Sequence, residues 1–196
     1  MALVPVSGPA VEPIELGQAK ARLRVTSTSE DLLIASLITA ARVHLELALS
    51  SAFITQSWSW FLDDWPKRVR LELPMGPVRA ITAVRVLTAG DVVATLPPNS
   101  VLLTGGAVPP YLSLKDRRPW TKGAPQPAYA ANGIEIEFVA GFGDAPADVP
   151  APIRQALLLL VAHWYEQRGP IEVGHSGADL PAMVAALVGP YRQVRL

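Results

Sequence analysis

The chain has 196 residues, half of them hydrophobic and only 17% charged, where an average soluble domain carries about 25%. Lysine plus arginine and aspartate plus glutamate both number 17, so no global field draws the molecule to nucleic acid or a membrane, and any such role has to be local. The absence of cysteine excludes disulfides, thiolate chemistry and cysteine metal sites. No run of apolar residues approaches 18, which argues against a membrane span, so the apolar excess is expected to cover subunit contacts. The N-terminus has neither the basic segment nor the continuous apolar stretch of a secretory signal, which implies the cytoplasm.

Glycine and proline number 14 and 19, more than average usage gives, and they cluster at element boundaries. In chain order, a short helix is expected over Leu16 to Val25. Next comes Ser27-Thr28-Ser29-Glu30, whose S-x-x-E spacing reads as a capping box. A long helix follows from about Ser29 to Ser50, with Ser36, Thr39, Arg42, Glu46 and Ser50 on one narrow stripe. Leu33, Ile34, Leu37, Ile38, Ala41, Leu45 and Ala48 cover the rest, so this helix reads as buried on most sides.

The period then changes to two. In "TQSWSWFLDDW", Trp58, Trp60 and Leu62 share a face, and in "VRLEL" Val69, Leu71 and Leu73 oppose Arg70 and Glu72. "PMGP" turns the chain into "VRAITAVRVL", and Ala89-Gly90-Asp91 suits a hairpin. "VVATL" and "VLL" are expected to pair, and "GIEIEFVA" closes an antiparallel region. Asp148 is expected to cap a second apolar helix, with Pro150 and Pro152 in its first turn, that ends at Arg168 before Gly169-Pro170. "IEVGHSGA" reads as a linker. A last short helix, capped by Asp179 and ended by Gly189-Pro190, is too short to stand alone.

The fold class expected is therefore α+β: a helical core of two long, mostly apolar helices plus short N- and C-terminal helices, interrupted by a small antiparallel β region. The corresponding division is 1–53 for the N-terminal segment and first part of the core, 54–146 for the insertion with its long Pro/Gly-rich loops, and 147–196 for the second part of the core and a docking tail.

No enzyme is expected. His44, His163 and His175 lack the i, i+4 spacing of a helical metal site, and His44 and His163 read as core or interface residues within apolar helices. Asp63-Asp64 is explained by turn chemistry, and neither a phosphate-binding glycine loop nor a nucleophile elbow is present. No metal or cofactor is implied. Two features remain. The loop "LKDRRPWTKG" sets Lys115, Arg117, Arg118 and Lys122 around Trp120, a composition suited to a phosphate backbone; a solvated loop is the other reading. The tail "GPYRQVRL" carries Tyr191, Arg192 and Arg195, residue types favoured as interface anchors, with a frayed end as the alternative.

Three stretches, "SEDLLIASLITAARVHLELAL", "LELPMGPVRAITAVRVL" and "EFVAGFGDAPADVPAPIRQALLLLVAHWYEQRG", together with the ending "GPYR", resemble the head–tail connector, or adaptor, proteins of tailed bacteriophages and phage-derived gene transfer agents. The resemblance implies a structural protein of a particle neck, assembled in the bacterial cytoplasm as a closed ring of about twelve copies beneath the portal. Such a ring would extend the DNA tunnel and offer a platform to a stopper or tail-completion protein. Its partners would be further copies of itself, the portal, the next neck protein and transient, non-specific double-stranded DNA, with no membrane. Leu37, Leu45, Leu158 and Trp164 become candidates for contacts between subunits; Tyr191, Arg192 and Arg195 for portal docking; and the 115–122 loop for a surface facing DNA or a neighbouring ring. The "GFGDAPADVP" stretch would return the chain from the insertion at a fixed angle. A stopper or tail-completion protein, or a small ligand-binding module using the five tryptophans, are the competing readings.

Overall fold

A computed structural model describes residues 1–106, 109–167 and 180–192. The fold is α+β, as the change of period predicts, and the chain divides into two units. One comprises Met1–Pro9 and Thr55–Gly141, the other Ala10–Ile54 and Phe142–Arg192. The segment 1–9, expected to lead into the helices, instead supplies a strand to the β unit, because its alternating Leu3, Pro5 and Ala2, Val4 pair along a neighbouring strand. The β unit is accordingly larger than the insertion the sequence suggests.

Its main sheet has five antiparallel strands in the order β1 (Ala2–Ser7), β2 (Gln56–Leu62), β8 (Ile134–Ala140), β4 (Val78–Thr88) and β5 (Val92–Thr95). Strand β8 lies at its centre, where strict alternation puts Ile134, Ile136 and Phe138 on the buried face beside Trp60, Leu62, Val84 and Val86. Glu135 and Glu137 take the other face and grip Arg85 at 2.9 and 2.7 Å. Their hydrogen bonds, Glu137 first, hold the guanidinium charged beyond its ordinary range.

The Ala89-Gly90-Asp91 loop joins β4 to β5 as expected, with φ of 76° at Gly90 and 60° at Asp91. The expected pairing of "VVATL" with "VLL" does not occur. Strand β5 pairs with β4, while β6 (Val101–Thr104) joins β7 (Tyr111–Leu114) and β3 (Leu71–Glu72) in a second antiparallel sheet ordered β3-β7-β6. The turn Pro98–Ser100 redirects the chain between them.

In the helical unit, α1 (Leu16–Leu23), α2 (Asp31–Leu49), α4 (Ala151–Glu166) and α5 (Ala182–Val188) share one apolar core. Ile34, Ile38, Ala41, Leu45 and Leu49 of α2 meet Ile153, Leu157, Leu160 and Val161 of α4, each large side chain worth roughly 1.5–3 kcal/mol on burial. The Ser27–Glu30 capping box does not form. Ser27 Oγ accepts the Ser29 N–H instead, and the helix starts at Asp31. Asp148 likewise caps no helix: its carboxylate accepts the Ala145 N–H in the turn Pro146–Asp148 and fills the space a Cβ at Gly143 would need, which explains the glycine. Helix α4 begins at Ala151 behind Pro150. The expected helix end at Arg168 to Pro170, the linker with His175 and the Asp179 cap lie outside the described residues.

Helix α2 also corrects two expectations. With 19 residues and a mean hydropathy of 1.7 it is long and apolar enough to cross a membrane by length and composition. Of its polar stripe, however, Arg42 and Glu46 turn inward and are buried while Ser36 and Thr39 stay exposed, and the aliphatic Leu32 is 89% and Leu47 67% exposed. The helix is a core element that shows its aliphatic back to solvent.

Candidate functional site

The basic loop is built on two tryptophans. Trp65 and Trp120 stack with ring centroids 4.7 Å apart, and their indole N–H groups donate to the carbonyls of Pro125 (2.7 Å) and Val69 (2.9 Å). Trp120 opens α3 (Trp120–Gly123), a single turn that the sequence did not reveal, and is fully buried. It is therefore not the accessible ring expected among the basic groups; it is their anchor.

Around it, Lys115, Arg117, Arg118 and Lys122 are all exposed. Asp116 binds Arg118 through Nε at 2.7 Å and the second guanidinium nitrogen at 2.6 Å, and these bonds, with the Arg118 N–H, hold the carboxylate below its usual range. Arg117 sits at the turn apex with φ 60°, a left-handed conformation uncommon for a non-glycine residue. Among the described residues Lys115, Arg117 and Lys122 make no ion pair.

The Trp120–Val69 bond brings a second segment to this loop. Lys67, Arg68 and Arg70 flank Val69 and are exposed, and the β3–β7 register, Leu71 opposite Leu112, keeps the two segments side by side. The Arg70 guanidinium lies 4.8 Å from the centroid of the Tyr111 ring. Seven of the chain's 17 basic residues thus share one end of the β unit. The run "PKRVR" contained the signal; its distance in sequence from the loop concealed it.

The helical unit offers a different surface. Leu32, Ser36, Ala40, Val43 and Leu47 form an exposed stripe along α2, and Met183 is exposed on α5. Of the four candidates for subunit contacts, Leu45 is fully buried within its own chain and leaves the list. Leu37, Leu158 and Trp164 are half-buried against the core, with the Trp164 ring edge-on to His44 at 5.6 Å. The inward side of α2 is fixed by an ion network. Arg42 pairs with Glu12 and Glu46, both at 2.8 Å, and Glu46 accepts the buried Phe53 N–H. Burial opposes the Arg42 charge, but the bonds and fields of Glu12 and Glu46 prevail and raise its pKa.

At the C-terminus, the short turn Gly189–Tyr191 sets the Tyr191 ring edge-on to Phe142, with centroids 6.5 Å apart, so this residue packs on its own unit. Arg192 is exposed, and Arg195 lies outside the described residues. A cleft lined by Ile81, Val84, Leu96, Val101 and Leu103 has no ionisable wall, and one in the helical unit is bounded by Arg22, His163, Glu166 and Met183. Among the described residues no cluster of His, Asp and Glu is arranged to hold a metal.

No family model and no curated protein matches the sequence. Solved structures do. A chain of the neck of an empty gene transfer agent particle computed with C6 symmetry is 26% identical with a TM-score of 0.82, and a chain of the virion of the native particle is 25% identical with the same score. A chain of the native neck computed with C12 symmetry is 28% identical with a TM-score of 0.72. Each similarity covers 100% of this chain and 97% of the other.

Proposed function

We propose that the chain is a structural, non-enzymatic component of the neck of a phage-like particle, present there in multiple copies. The observation that carries this reading is the similarity over the whole of both chains to neck chains of gene transfer agent particles solved with C6 and C12 symmetry. Its finer form is the connector, or adaptor: a ring of about twelve copies below the portal that continues the DNA path and receives a stopper or tail-completion protein.

The exposed aliphatic stripe of α2 supports this form, since a helix with Leu32, Val43 and Leu47 in water gains by meeting a neighbouring copy. Leu37, Leu158 and Trp164 would border that contact. Arg192 and Arg195 would dock on the portal, with Tyr191 holding the base of the tail. Each tail contact can be weak, because a ring meeting a ring makes many at high effective concentration. The basic loop would face either the DNA or the adjoining ring. Assembly would take place in the bacterial cytoplasm.

Deleting the gene and imaging the particles tests the reading. Filled or empty heads without tails, restored by the intact gene, are expected, with a tagged copy seen at the neck. Complete, tailed particles from the deletion strain would contradict it.

A further inference from the structure

We infer that the basic end of the β unit is a binding site for the phosphate backbone of double-stranded DNA, built jointly by the 115–122 loop and the Lys67, Arg68 and Arg70 segment. This rests on the proposed function only for the choice of DNA as the polyanion. The site itself rests on the Trp120–Val69 bond and the β3–β7 register, which turn two distant runs of sequence into one surface.

Three features select a duplex backbone. First, six of the seven cations have no carboxylate partner among the described residues, and only Arg118 is held by Asp116. Unpaired surface cations are what counterion release requires. Second, the patch offers no open aromatic ring. Trp65 and Trp120 are buried and Arg70 covers Tyr111, so bases of a single strand find no stacking platform. Third, protein interfaces have an apolar centre, whereas the apolar surface here amounts to Val69, 37% exposed. Contacts confined to phosphates carry no base information, so binding is independent of sequence and reverses readily, as passage of DNA demands.

The test is fluorescence anisotropy of the purified full-length chain with two unrelated duplexes, from 50 to 200 mM salt. Equal affinity for both is expected, with a log–log salt slope of about −3.6 to −5.4, reflecting four to six phosphates at about 0.9 each. Lys67→Gln with Arg68→Gln should reduce the slope by about 1.8, as should Lys115→Gln with Arg117→Gly, the glycine suiting the left-handed apex. Asp116→Asn frees Arg118 and should steepen the slope by about 0.9.

If the 67/68 variant keeps the full slope while the 115/117 variant loses it, the joint site is wrong and the loop acts alone. No duplex binding at 50 mM salt, tighter binding of a single strand, or equal competition by polyglutamate would each overturn the assignment, the last in favour of an acidic protein surface. Failure here with neck assembly intact would count against this inference alone. Normal DNA binding with no neck defect on deletion would count against the proposed function alone.

Discussion

Arg42 and Trp120 each look, in sequence, like the opposite of what they are. Arg42 stands in a polar stripe that invites a solvent-facing reading, yet it is buried between Glu12 and Glu46 and closes the inner side of α2. Replacing it with methionine leaves a buried carboxylate without its partner, and urea unfolding should show a loss of about 3–5 kcal/mol. A loss below about 1 kcal/mol would mean the network is exposed in solution. Trp120 stands among four cations, yet its ring is sealed against Trp65. Trp120→Phe keeps an aromatic ring there and removes the bond to the Val69 carbonyl, so stability should fall by about 1–3 kcal/mol. Duplex affinity should fall with it, by about three- to tenfold, because the same bond keeps the 67–70 segment beside the loop; unchanged affinity would leave the β3–β7 register alone to hold the two together. Neither inversion was legible, because periodicity reports which residues share a face and says nothing of which face meets a partner.

At the scale of elements, most strands were legible, but β1 and β7 were not, and the pairing was read poorly. Alternation in "GIEIEFVA" and "SWSWFL" identifies β8 and β2, but nothing local tells β8 to lie between β2 and β4, or β5 to decline β6. Helices α1 and α2 were found to within two residues, α3 was not foreseen, and the expected end of α4 lies outside the described residues. Their caps were missed because Ser27 and Asp148 spend their oxygens on nearer backbone N–H groups. Half of the basic patch was visible as a loop; Lys67, Arg68 and Arg70 needed the β3–β7 register. The outward face of α2 gives a direct test at this scale. Val43→Glu with Leu47→Glu should change stability by no more than about 0.5 kcal/mol, since both side chains are exposed. The same pair should abolish ring formation, seen as loss of the assembled species in sedimentation. Rings of normal size would remove α2 from the contact between copies.

For the whole molecule, composition already pointed outward: a chain half hydrophobic and 17% charged leaves apolar surface uncovered, and Leu32, Val43, Leu47 and Met183 are among the residues that show it. The neck assignment draws on that surface and on similarity along the entire chain. A chain ending at Tyr191 retains the Phe142 contact and should fold normally, but lacking Arg192 and Arg195 it should not sediment with the portal. Co-sedimentation of that shortened chain would place docking elsewhere.

The central claim is tested most directly by the mass of the complex formed when the full-length protein is mixed with its particle's portal ring, with the free protein as control. The account predicts one discrete species heavier than the portal by a closed ring of about twelve chains. A well-folded protein that adds no mass to the portal would contradict it and favour a stopper or tail-completion role further along the neck.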